Sequence, residues 1–275
     1  MYINNYFYTH STIGNRLIED DNIYMTDYYT KLFKKELSSI KLEGRTALLY
    51  AIGVSVSQSE ARNSGVVTVN SSVTIKELTS YSAHKYAKVF NKSNNITYMN
   101  LNSNTCASSM FSLYEAERLL KLGDVDNVII VTEERTSSKT KTVFKESNIE
   151  LALGEGFACV VLSNKGEVKI TDTKWVTHYD NNPFKVTKEG YDKIFTECDM
   201  VKLHGTGTPV NNKAEQEAFG HLPTILYKDT IGHTQGASSL IEVCKVIDDN
   251  KAKGKVLCVA SGLGSFYGSC LVWKS

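Results

Sequence analysis

The feature that most constrains this chain is an alternation that runs through twice. Short runs dense in β-branched residues are separated by stretches with helical spacing. "VDNVIIVTE" and "GFACVVLSN" are apolar nearly throughout, as strands covered on both faces are. "NITYMNLN" reads as a strand, and after it residues 107–122 set Met110, Phe111, Leu113, Tyr114, Leu119, Leu120 and Leu122 along one helical surface that ends at Gly123 and Asp124. Upstream, "TDYYTKLFKKEL" (26–37) predicts one helix, "GVVTVNSSVTI" (65–75) a strand and "SYSAHKYAKVFNKS" a helix. After Gly166 the series restarts. "EVKITDTKWVTH" and "MVKLHG" read as strands, and "KEGYDKIFTECD", "NNKAEQEAFGHL" and "SSLIEVCKVIDDNKAKG" as helices. "KVLCVAS" and "SCLVWK" form a closing antiparallel pair. The expectation is an α/β protein with covered sheets. Its halves, 1–165 and 166–275, are read as a diverged duplication with no residue-level repeat evident.

Composition narrows the classes. With 31 basic and 30 acidic residues the net charge is +1, and the basic residues are scattered, which argues against nucleic acid and anionic membrane as partners. The six cysteines include no CxxC pair and fit no common zinc spacing. Cys159, Cys258 and Cys270 lie in apolar runs and read as buried free thiols of a cytosolic protein. The segment "MYINNYFYTHSTIGN" has no signal-peptide pattern, and no apolar run approaches the ~18 residues of a membrane span, so a cytoplasmic location is expected. Pro183 and Pro209 are read as loop residues.

Cys106 stands apart from the other cysteines. In "SNTCASS" it sits in a small polar loop between a strand and a helix N-terminus. Unpaired N–H groups and the positive end of a helix dipole converge there, favour a thiolate, and could hold a developing oxyanion. From these neighbours alone, a passive thiol is an equal reading.

Two histidine segments shift the balance. "VKLHGTGTPVNNKAEQEA" puts His204 where an apolar strand opens into a Gly/Thr loop, and "YKDTIGHTQGASSLIEVCK" puts His233 just before a helix among small residues. Both lie where strands end and helices begin, the usual place for a site in an open α/β sheet. His10, His84, His178 and His221 have no such surroundings and read as ordinary surface or half-buried residues. "GEGFA" and "GLGSFYG" lack a strand–GxGxxG–helix context, so their glycines read as turn residues.

Four segments in order, "TCASS" with its helix, "GEGFACVVL", "HGTGTPVNNKAE" and "YKDTIGHTQGASSLIE", resemble the β-ketoacyl-acyl-carrier-protein synthases of the thiolase superfamily, over most of residues 100–246. The resemblance implies a layered αβαβα fold of two similar halves and a decarboxylative Claisen condensation. Cys106 would carry an acyl chain as a thioester, and His204 and His233 would bind a malonyl thioester carbonyl and stabilise the enolate. Lys228, five residues before His233, and Glu242, nine after it, would support the histidines. Leu263 or Phe266, in "SGLGSFYGS", would gate the cysteine. No cofactor is implied, because the substrates arrive on the phosphopantetheine of an acyl carrier protein. A homodimer, or a heterodimer with another synthase subunit, is expected, with "NITYMNLN" pairing across the axis.

The chemistry is consistent in its own terms. A thiolate both attacks and leaves, and two imidazole N–H groups can hold charge on a thioester oxygen where water is excluded.

The departures are specific. "VFKESNIELALGEG" keeps the family's stretch before "GEG" only in part. Neither Asn212 nor Lys213 supplies the aspartate that follows the loop proline, with Glu215 downstream as the alignment anchor. "GLGSFYG" rewrites a glycine–phenylalanine–glycine–glycine loop, and the chain is shorter than the usual enzyme before Cys106 and between Cys106 and His204. Two rival readings therefore stay open beside the synthase. One is a non-catalytic, chain-length-determining partner subunit. The other is a thiolase-type acyl transfer without decarboxylation, which the pair of histidines disfavours.

Overall fold

The structure is a computed structural model that describes residues 1–20, 23–53, 79–136, 141, 144–145 and 150–274. The strand expected within 65–75 lies outside the described residues.

Among the described residues, ten strands fall into two sets. The first comprises β1 (Tyr2–His10), β2 (Arg45–Ala51), β3 (Asn95–Asn102), β4 (Asn127–Glu134) and β5 (Gly156–Ser163). The second comprises β6 (Val168–Thr177), β7 (Met200–Lys202), β8 (Thr224–Ile225), β9 (Gly254–Gly262) and β10 (Phe266–Lys274). Spatial order in the first set is β3-β2-β4-β5-β1, and in the second, read from the other end, β8-β7-β9-β10-β6. The pairing senses match as well. β2 runs parallel to β3 and β4, and β7 parallel to β8 and β9, whereas β4/β5, β5/β1, β9/β10 and β10/β6 are antiparallel. A short β1–β6 pairing at Tyr2↔Lys169 and Ile3↔Val168 joins the sets.

Strand alternation builds five layers. Ala47 and Leu49 of β2, Val128 and Ile130 of β4, and Val256, Cys258 and Ala260 of β9 face a central core. That core is filled by α4 (Ser108–Leu122), through Met110, Leu113, Ala116 and Leu120, and by α8 (Ser238–Asp248), through Leu240, Ile241, Val243 and Cys244. The alternate residues Leu48, Tyr50, Ile129 and Val131 face outward onto α1 (Met25–Leu32), α2 (Lys34–Ser39) and α3 (Thr79–Phe90). Leu257, Val259 and Leu271 face the other way onto α5 (Lys188–Ile194) and α6 (Pro209–Phe219). The order is helix, sheet, helix, sheet, helix.

Several expectations change in detail. The helix expected over 26–37 is two helices that turn at Phe33. Leu122 is 69% exposed, because it has reached the last turn of α4 beyond the covering strands. Pro209 opens α6 instead of lying in a loop, since its fixed φ suits the first helical position. The strands β1, β2 and β8 and the short helix α7 (Lys228–Ile231) have no counterpart in the sequence reading.

Candidate active site

The site forms where loops from both halves meet between the two sheets. β3 runs into a 3₁₀ turn, Thr105–Ala107, and then α4, so Cys106 lies at the head of that helix. Thr105 takes a positive φ of 54°, unusual for a β-branched residue, and its hydroxyl donates to the Leu263 carbonyl at 3.2 Å. The tip of the β9–β10 turn is thereby tied to the cysteine loop.

His204 follows β7. Glycines at positive φ, Gly205 at 59° and Gly207 at 82°, turn the chain away after it. Glu215, from α6, accepts the backbone N–H of His204 at 2.6 Å and of Gly205 at 3.1 Å, and Asn211 donates to it at 2.6 Å. Glu215, the carboxylate downstream of the absent loop aspartate, thus holds the loop backbone. His233 lies between α7 and a second 3₁₀ turn, Gln235–Ala237, with its backbone bonded to Ala152 and Gly154.

Three side chains converge. His233 Nε2 lies 3.0 Å from Cys106 Sγ, its Nδ1 lies 3.2 Å from Ser238 Oγ, and the His204 ring stands perpendicular to the His233 ring at a centroid distance of 5.5 Å. Lys228 Nζ donates to the His204 carbonyl at 2.5 Å and to Glu242 at 2.5 Å. Among the described residues, His204 Nδ1 is buried without a hydrogen-bond partner.

Burial controls the electrostatics. The Cys106 thiol is pushed up to about 12 by desolvation, with Lys228 pulling it partly back and Glu134 pushing it further. Burial thus opposes the thiolate that the helix terminus favours. The helix terminus is present, but loss of water outweighs its partial charge. Both imidazoles are held well below their ordinary range, first by burial and then by Lys228, so they are neutral at pH 7. In the tautomer with its proton on Nδ1, His233 faces the thiol as an acceptor, and in the Nε2–H tautomer the same nitrogen is a donor.

A cleft holding about 70 Å³ of free space opens onto Cys106, His204 and His233, between Phe184 on one side and Leu263 on the other. Leu263 lines this cleft. Phe266 does not. It opens β10 beyond the turn and stacks on Trp175 at 5.6 Å.

Sequence reading passed over Lys202, which is fully buried in β7 and paired with Glu242. A lysine within an apolar strand, two residues before His204, was the available signal. It also passed over the β6–α5 loop, whose Pro183, Phe184 and Val186 line the cleft and whose Pro183 carbonyl accepts the N–H of Gly264 at 3.0 Å. No local pattern marks that loop.

Comparison with known proteins gives concordant matches. Residues 101–178 match the model for 3-oxoacyl-[acyl-carrier-protein] synthase III, and residues 191–249 the model for the β-ketoacyl synthase C-terminal domain. A highly reducing polyketide synthase of Aspergillus ruber is 22% identical over 256 residues, 71% of this chain and 11% of that protein. The chain spans about a tenth or less of the curated relatives it matches. A β-ketoacyl synthase from Burkholderia phymatum superposes with a TM-score of 0.72 at 16% identity, over 91% of this chain and 82% of that one. The ishigamide ketosynthase/chain length factor does so with a TM-score of 0.68 at 14% identity, over 95% and 84%.

Proposed function

The chain belongs to the β-ketoacyl synthase family, and from that premise we propose that it joins two thioesters by decarboxylative condensation. Its fold is thiolase-like, in five layers and two similar halves. The observation that carries the proposal is the 3.0 Å approach of His233 Nε2 to Cys106 Sγ, with His204 beside it.

The proposed sequence uses this chain's own groups. His233 accepts the thiol proton as Cys106 attacks an acyl thioester, the C–S bond to the carrier breaks, and the departing carrier thiolate takes that proton back from His233 and leaves as a thiol. This transfer supplies the thiolate character that burial withholds at rest. A malonyl thioester then places its carbonyl oxygen against His204 and His233. The C–C bond to the carboxylate breaks, carbon dioxide departs, and the electron pair becomes an enolate held by imidazole N–H donors. The enolate carbon attacks the acyl carbonyl, the C–S bond to Cys106 breaks, a β-ketoacyl thioester is released, and the Cys106 thiolate takes up one proton from water by way of His233 to restore the thiol. Substrates would arrive on the phosphopantetheine of an acyl carrier protein.

β3 is the outer strand of its set and exposes Tyr98 and Met99, 38% and 49% accessible. An unpaired, partly apolar edge is a template for another strand. We assign it to pairing with a second synthase chain.

Intact-mass measurement after incubation with acylated carrier protein tests the function. An acyl increment on Cys106, followed by its loss when malonyl carrier protein is added, is expected, and light scattering under the same conditions should report a dimer. An unmodified chain, alone and co-expressed with a longer synthase, would favour a partner subunit without chemistry.

A further inference from the structure

Lys202 is fully buried on β7, and strand alternation puts it on the same face as His204. Its Nζ pairs with Glu242 Oε2 and donates to the Val259 carbonyl at 3.1 Å. The other oxygen of Glu242 takes Lys228 Nζ at 2.5 Å, and the same ammonium donates to the His204 carbonyl at 2.5 Å. One carboxylate thus serves two buried ammonium groups, in a chain that runs Lys202, Glu242, Lys228, His204.

For stability alone the second lysine is a poor choice. The two lysines face two buried carboxylates, Glu242 and Glu215, and every buried charge of this cluster adds desolvation cost. An amide at position 202 could satisfy Glu242 Oε2 without charge.

We propose that Lys202 is a positioning residue for this site: by sharing Glu242 with Lys228 it fixes the Lys228 ammonium against the His204 carbonyl and sets a second buried cation beside the two imidazoles. The inference rests on the condensation reading and names a residue that reading does not use.

The groups around the imidazoles come from six elements. They are Lys202 on β7, Lys228 on α7, Glu242 on α8, Glu215 on α6, Cys106 in its 3₁₀ turn and Glu134 at the end of β4. Burial pushes Glu134 up to about 8, so it is mostly neutral at pH 7. Both lysines act on each imidazole in the same direction, downward, after burial itself. A neutral imidazole can accept the thiol proton and later donate N–H to an enolate, and an imidazolium cannot do the first. The same two cations favour negative charge growing on a thioester oxygen. Removing one cation lets an imidazole bind its proton at higher pH, so the midpoints must move up.

The test is Lys202→Gln, which keeps a donor for Glu242, beside Lys202→Arg, which keeps the cation. Ring-labelled histidine spectra across pH, assigned with His204→Ala and His233→Ala, give the midpoints without reference to activity. In Lys202→Gln, the His204 and His233 midpoints should lie measurably higher than in the parent. Lys202→Arg should resemble the parent. The acidic limb of malonyl thioester decarboxylation should rise by the same amount in Lys202→Gln. Unmoved midpoints in Lys202→Gln, or equal movement in Lys202→Arg, would overturn the proposal. So would failure of both Lys202→Gln and Lys202→Met to fold while Lys202→Arg folds, since that marks a purely structural residue. Midpoints that move in a protein with no decarboxylase activity would sink the condensation reading and uphold the role of Lys202.

Discussion

Two turns in this molecule follow the same path and do different work. Thr105-Cys106-Ala107-Ser108-Ser109-Met110 heads α4, and Gln235-Gly236-Ala237-Ser238-Ser239-Leu240 heads α8. Each begins with a residue at positive φ, 54° at Thr105 and 45° at Gln235, passes through a 3₁₀ turn, and enters its helix at a serine. The residues just before them are alike too, Asn104 at φ −107°, ψ 42° and Thr234 at φ −90°, ψ 33°.

They part at the second position. Cys106 opens onto the cleft. A Cβ added at Gly236 would come within 2.6 Å of the Ile52 carbonyl carbon and closer still to the Gly53 nitrogen. Glu134 closes this seam by accepting the N–H of Gly53 and, at 3.2 Å, of Gly236. A duplicated frame thus presents a reactive side chain once and serves as a packing joint the second time. In the second copy the chemistry has moved upstream, to His233, at the place Ser103 holds in the first.

The comparison breaks most visibly at the joint. Gly236→Ala should cost at least about 3 kcal/mol, because backbone must move to admit a methyl group. Denaturant unfolding measures it, and a variant within about 1 kcal/mol of the parent would show that the two turns are interchangeable.

Glu134 gives a smaller, pH-dependent effect. Burial raises its folded value from 4.5 to about 8, so the folded chain holds a proton that the unfolded chain has released by neutral pH. That stabilisation is present at low pH and is lost as pH rises through about 8. Between about pH 7 and pH 9 the parent should lose about 1.4 kcal/mol that Glu134→Gln keeps, since glutamine still accepts both N–H groups and cannot ionise. The depressed histidines cost stability only as pH falls below about 6.5, outside that window. Parallel melting curves for the two proteins are the check.

Cys106→Ala is the smallest perturbation of the fold and sharpens the contrast from the other side. It should shift stability by less than about 1 kcal/mol, since only a sulfur at the cleft is lost, while removing all acyl loading. A Cys106→Ala protein as unstable as Gly236→Ala would make the cysteine turn a packing joint as well.

Legibility followed how local each cause is. Strands such as "VDNVIIVTE" and the heads of α4 and α8 rest on patterns of a few residues, and they lie where the sequence puts them. β1 escaped because "YINNYFYTH" is half-buried along most of its length between β5 and β6, with a register shift between Ile3 and Asn5 that spoils its alternation. The matched turns "TCASS" and "QGASS" were in view, but only their shared backbone path makes five letters a repeat.

By itself the sequence determined the alternation of strands and helices, the doubling of that series, and the three residues Cys106, His204 and His233 that motif order singles out. Those depend on neighbours along the chain. Tertiary structure alone decided that burial keeps the Cys106 thiol protonated, that Leu263 and not Phe266 meets the cleft, and that Lys202 and Lys228 share one carboxylate. Each of these depends on which groups exclude water from a given atom. That set comes from strands and loops far apart in sequence, and it exists only once the two halves have closed on each other.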